Sequence, residues 1–193
     1  GYWRMFEGSL WSHFAQGALD SGWVVAIPTY DLCPRVRIPD ITRQVAQAVS
    51  VIAREYDGPI RLTGHSAGGH LVSRMLAPDV LPGDVLARVD ACVPISPVSD
   101  LRPLLKTLMN QDFKLDATSA ADESPVLQPK PSVPVSVWVG GDERPVFLDQ
   151  AQWLADAWGC PCVVDAGTHH FDVIDGLLDA DSPLMRSIMA GAS

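Results

Sequence analysis

Ile60-Arg61-Leu62-Thr63-Gly64-His65-Ser66-Ala67-Gly68-Gly69-His70-Leu71 is the stretch on which the fold turns. Ile60 to Thr63 reads as a short strand and Ser66 to Ala77 as a helix. Between them Gly64-His65-Ser66-Ala67-Gly68 has the pattern G-x-S-x-G. The bare pattern arises by chance in roughly one chain of this length in fifteen, with glycine near 7% of residues. Its context is what makes it specific. A serine on a tight strand-to-helix turn is tolerated only where its neighbours are small, and there it projects an exposed hydroxyl above the sheet. The helix that follows begins with free N–H groups aimed at developing negative charge. Ser66 is therefore a candidate nucleophile.

Outward from this turn, strands and helices alternate. Trp23-Val24-Val25-Ala26-Ile27-Pro28 is a short apolar run after a Ser21-Gly22 turn, as a strand buried on both faces should be. From Pro39 and Asp40, apolar residues recur at three- and four-residue steps from Ile41 to Tyr56, predicting a helix that Gly58-Pro59 stops. Ala91 to Ile95, Val135 to Val139 and Cys162 to Val164 predict three more strands. Val146 to Trp158 has helical periodicity, and Phe171 to Leu178 and Pro183 to Met189 read as closing helices. Such alternation predicts an α/β fold, a mostly parallel, doubly wound sheet with helices on both faces. The whole chain, 1–193, reads as one domain. The proline-rich stretch at about 97–134 breaks the rhythm as a cap-like insertion over a site.

Composition narrows the function. Of 193 residues, 47% are hydrophobic and 19% charged, enough apolar material for a real core. The formal net charge of −9 opposes phosphate backbones and anionic bilayers, so no nucleic acid and no membrane is expected as a partner. No apolar run approaches the roughly 18 residues of a membrane span, and no secretory signal is visible. Cys33, Cys92, Cys160 and Cys162 lack the paired spacing of a zinc site. They read as free thiols in a reducing, cytoplasmic setting. The start, Gly1-Tyr2-Trp3-Arg4-Met5-Phe6, is aromatic where exposed termini are usually polar, which suggests a chain entered partway through a domain.

A nucleophilic serine needs a base, and the base an orienting carboxylate. On a sheet of this kind they follow in the order serine, carboxylate, histidine, at the C-terminal ends of later strands. Gly140-Gly141-Asp142-Glu143-Arg144 follows the fourth expected strand, and Gly167-Thr168-His169-His170-Phe171 the fifth. His70, one helical turn past Ser66, reads as a packing residue, His65 as a positioner of the turn, and His13 as a surface residue.

Several segments then add up to a family likeness. Gly1-Tyr2-Trp3 looks like the end of a His-Gly-Gly-Tyr-Trp motif, and Gly64 to Leu71 matches G-H-S-A-G-G-H-L. Ser99 to Leu104, Gly141 to Gln150 and His170-Phe171 resemble a cap, an acid loop and a histidine loop. Over essentially its whole length the chain resembles the kynurenine formamidase (arylformamidase) branch of the α/β-hydrolase superfamily, close to small carboxylesterases. The resemblance implies Ser66, Glu143 and His170 as a catalytic triad, with Asp142 as the alternative acid. It implies an oxyanion hole from the N–H groups of Ala67 and of Gly1 or Tyr2, with Tyr2, Trp3 and Phe171 walling an aromatic pocket. The implied reaction on a small-molecule substrate is hydrolysis of N-formylkynurenine to kynurenine and formate. No metal and no cofactor is implied, and a homodimer is compatible with it. A carboxylesterase for small acyl or aryl esters would use the same residues, and a non-catalytic fragment or binding module is the reading from another class. Relatives carry further strands upstream, one of them between the strands expected at Trp23 and Ile60. The expectation is therefore an N-terminally truncated α/β-hydrolase domain lacking its first strands.

Overall fold

The computed structural model describes residues 1–78 and 80–190. After a 3-10 segment at Gly8–Ala15 come α1 (Gln16–Asp20) and α2 (Ile38–Glu55). Then follow β1 (Ile60–His65), α3 (Ala67–Arg74), α4 (Gly83–Leu86) and β2 (Val89–Ile95). The insertion contributes α5 (Asn110–Phe113) and α6 (Ala117–Asp122) with short 3-10 turns. The chain closes with β3 (Val137–Gly140), α7 (Pro145–Trp158), β4 (Cys162–Asp165) and α8 (Pro183–Met189).

The four strands form one parallel sheet in the order β1-β2-β3-β4. Side chains alternate across it as a pleat requires. Leu62, Cys92, Val137 and Val139 pack into the larger core with α2, α3 and α7. Val93, Ile95 and Trp138 enter a second core with Val173, Ile174 and the α8 residues Leu184, Met185 and Ile188. Both faces are covered, which is why β2 is almost wholly apolar.

Local chemistry sets the helix ends. The Arg37 N–H donates to Asp40 Oδ2 at 2.8 Å at the start of α2. Beyond its C-terminus Gly58 takes φ +97°, and the Arg88 guanidinium donates to the carbonyls of Ala53, Tyr56 and Gly58. These bonds occupy carbonyls that the helix itself leaves open.

Two expectations fail. Residues 23–28 run without forming a strand, and Val24 and Ile27 stay 60% and 40% exposed. A strand exists only where a neighbour supplies a ladder of N–H and C=O groups. This segment lies beside Gly8, with the Ile27 side chain and Pro28 carbonyl next to its Cα, while β1 pairs with β2 alone among the described residues. Phe171 to Leu178 is not a helix either, but a series of turns ending in a 3-10 turn at Asp175–Leu178. There Asp172 accepts the His169 N–H at 2.6 Å and folds the loop back locally.

All four strands point their C-terminal ends to one edge of the sheet. Ser66 follows β1, Ser96 follows β2, Glu143 lies three residues past β3, and His170 lies five past β4. The candidate site sits on that edge, where open parallel sheets gather their functional side chains.

Candidate active site

The turn at Ser66 is built by glycines in close approach. A Cβ on Gly64 would stand 2.5 Å from the Gly68 carbonyl oxygen, and one on Gly69 would stand 3.0 Å from Ile95 O. With those atoms absent, strand and helix meet closely enough to hold Ser66 at φ +56°, ψ −114°. That conformation costs an ordinary L-residue on the order of 1–3 kcal/mol. The Ser66 N–H donates to Ile95 O at 2.8 Å, tying the turn to β2. Its carbonyl accepts the His70 N–H at 3.0 Å, closing the first turn of α3. The Ala67 N–H makes no backbone hydrogen bond among the described residues, so it remains available at the helix start. Ser66 is less open than the sequence suggests. It is 7% exposed, because the turn is packed between β2 and the loop carrying His170.

His170 reaches Ser66 from the far side of the sheet, its Nε2 standing 3.2 Å from Ser66 Oγ. Its Nδ1 lies 2.5 Å from Glu143 Oε2. The Glu143 side chain is fully buried and that of His170 is 16% exposed. The other carboxylate oxygen of Glu143 accepts the Gly140 N–H at 3.0 Å and the Ser96 hydroxyl. Burial alone would raise this carboxyl. The hydrogen bonds from His170, Ser96 and Gly140 outweigh it and hold Glu143 below its ordinary value. An ionised Glu143 requires the proton on His170 Nδ1, which leaves Nε2 to accept from the Ser66 hydroxyl.

The acid loop explains why Glu143 and not Asp142 turns inward. Gly141 N–H donates to Asp165 O at 2.7 Å and Asp142 N–H to Thr168 O at 2.9 Å. A Cβ on Gly140 would strike Thr168 O at 2.6 Å, so only glycine lets the two loops approach this closely. Pinned in this way, the backbone sends the Asp142 side chain to solvent and the Glu143 side chain beneath His170.

Other candidates fall elsewhere. Trp3 does not wall a pocket: at 1% exposure it packs edge-on against His70 (4.9 Å between ring centroids) and Phe113 (5.6 Å). The cause is local, since Tyr2 and Trp3 both take positive φ and the Cys33 N–H donates to Trp3 O at 2.9 Å, drawing the ring into the core. The Gly1 amino group donates to Met5 O at 2.7 Å, an acceptor within its own turn rather than at Ser66. Tyr2 is half-buried, and Phe171 is 75% exposed with its ring edge-on to His170 at 5.5 Å. His70 is buried and bonded through Nε2 to Glu123 O at 2.8 Å. His65 packs against the His170 ring, and His13 against Phe14.

Ser96 is the residue that sequence reading misses. It shares with Ser66 a position at a strand's C-terminal end and a positive φ, +45°. A serine directly after an apolar strand was the available signal. Among the described residues, no group of three or more His, Cys, Asp or Glu side chains is placed to hold a metal ion. No helix among them is long and apolar enough to cross a membrane.

A family model of the alpha/beta hydrolase fold matches residues 6–130. The chain belongs to the alpha/beta hydrolase fold family. This hydrolase is 26% identical over 204 residues to the kynurenine formamidase of Salmo salar, a match covering 98% of this chain and 69% of that one. Its structure resembles that of a protein of Silicibacter sp. TM1040 described as "a putative thioesterase", with a TM-score of 0.96 at 57% identity, over 98% of this chain and 72% of the other. A solved arylesterase shares the hydrolase fold at 18% identity and a TM-score of 0.71, over 98% of this chain and 71% of that one.

Proposed function

We propose that this hydrolase cleaves an aryl formamide, N-formylkynurenine, to kynurenine and formate, with Ser66 as nucleophile. The observation that carries the reading is the continuous relay from Ser66 Oγ through His170 to the buried Glu143. His170 Nε2 takes the Ser66 proton as Oγ attacks the formyl carbon. The resulting oxyanion lies at the start of α3, where the Ala67 N–H is free to donate, with the Tyr2 N–H as the second donor. His170 then returns the proton to the aryl nitrogen as the C–N bond breaks. Water, deprotonated by the same imidazole, attacks formyl-Ser66 and releases formate.

The substrate choice is supported by the fish formamidase relative and by the confinement of Ser66. A nucleophile 7% exposed favours a small acyl group, and formyl is the smallest. The Silicibacter neighbour supports a second reading, hydrolysis of small acyl esters or thioesters by the same relay. A cytoplasmic setting is supported by the four free cysteines. The test is kcat/KM for N-formylkynurenine against p-nitrophenyl acetate and an acetyl thioester, in the native protein and in Ser66→Ala. Preferred turnover of the formamide, lost in the variant, is expected. Turnover of esters alone overturns the formamidase reading.

A further inference from the structure

Two hydrogen bonds hold His170, one at each ring nitrogen. Both lie near a single line across the imidazole, so by themselves they leave the ring free to rock about that line. Contacts on the ring's faces are what resist rocking. Phe147 stacks on His170 with centroids 4.0 Å apart and planes inclined by 25°. His65 packs against it at 4.5 Å and 46°. Phe147 lies in the first turn of α7, four residues after Glu143, and is buried; His65 precedes Ser66. Each flanking ring thus lies within four residues, along the chain, of one of His170's hydrogen-bond partners.

We propose that Phe147, assisted by His65, is a positioning residue that fixes the His170 plane and favours the imidazolium formed as Ser66 attacks. The inference rests on the serine-relay reading above. An aromatic face attracts a cation more than a neutral ring. The Phe147 contact therefore strengthens between ground state and transition state, the kind of interaction that raises kcat rather than lowering KM. His65 is suited to sit beside that cation. Burial first, then the neighbouring His170, push its pKa down to about 4, so it stays neutral while His170 takes the proton.

The test is kinetics and proton NMR of Phe147→Leu and Phe147→Tyr in the full chain, with thermal midpoints measured alongside. Phe147→Leu is expected to lower kcat on the order of tenfold with KM changed less than about twofold. Its low-field proton signal from the His170–Glu143 bond should broaden. Phe147→Tyr, which keeps the aromatic face, should recover most of the rate and the sharp signal. If Phe147→Leu fails to fold, Phe147→Met supplies a non-aromatic side chain for the same comparison. Wild-type kcat in a folded non-aromatic variant overturns the proposal, as does a Tyr variant as slow as the Leu variant. Loss of turnover in Ser66→Ala is read separately. If it occurs while the Phe147 variants stay fully active, the clamp is wrong and the serine mechanism stands.

Discussion

Replacing Glu143 by Gln preserves the shape of the relay but removes the charge that keeps the proton on His170 Nδ1. Loss of the equivalent charge in serine proteases costs about 10⁴ in kcat, and Glu143→Gln should fall by roughly 10³ to 10⁴. Asp142→Asn, on a side chain turned to solvent, should stay within about twofold. Steady-state kinetics of the two variants decides between adjacent carboxylates that sequence could not separate, because a one-residue shift of the loop exchanges them. What separates them is a pair of hydrogen bonds from Gly141 and Asp142 to the Asp165–Thr168 loop, a tertiary fact with no local signature. Ser96 was hidden for a similar reason: its positive φ and its bond to Glu143 appear only when β2 and β3 lie side by side. Ser66 and His170 were legible because each carries a local mark, a glycine-flanked strand-to-helix turn in one case and a His-Phe pair after a late strand in the other. Trp3 was misplaced because an aromatic beside a strand looks the same in sequence whether it lines a pocket or fills a core.

The tightest element is the β1–α3 turn. Gly64→Ala would place a Cβ 2.5 Å from the Gly68 carbonyl, backbone against backbone, with no flexible group to yield. Overpacking of this kind costs about 1–3 kcal/mol, or roughly 3–10 °C in melting temperature for a domain of this size. Gly68→Ala, whose Cβ would meet nothing within 4 Å, should melt close to wild type. Differential scanning calorimetry of the pair checks this, and equal melting temperatures would count against the close-approach explanation. Elements with strong periodicity matched the sequence within a residue or two: α2 from its apolar stripe, α7 from the periodicity of Val146 to Trp158, and β1 to β4 from their apolar runs. The segment at 23–28 has equal apolar content but no ladder partner, and a strand is a property of pairs rather than of one segment. The 171–178 loop shows the converse, since local hydrogen bonding by Asp172 overrode a helical pattern.

At the scale of the whole molecule, two cores clasp the sheet, and the larger one contains a histidine with no room for charge. His70 is fully buried, and burial lowers its pKa from 6.5 to about 4. The unfolded chain therefore binds a proton that the folded chain refuses between those values. Stability is fully present above about pH 6.5 and falls as pH drops toward 4, by on the order of 3 kcal/mol from this residue. Glu143 acts in the same direction at lower pH: its depressed carboxyl lends stability above its unfolded value of 4.5 that is lost as pH falls through its folded one. Urea unfolding from pH 7.5 to 4.5 should show a falling midpoint, flatter in His70→Gln. A midpoint constant across that range would show that His70 is not held neutral. The proposed activity rests on Ser66, His170 and Glu143, brought to one edge of the sheet from loops far apart in the chain. Treating the folded protein with a fluorophosphonate and mapping the adduct by peptide mass spectrometry probes that convergence most directly. A single adduct on Ser66, absent in His170→Ala, is expected; folded protein that stays unmodified, or is modified elsewhere, contradicts a Ser66 nucleophile.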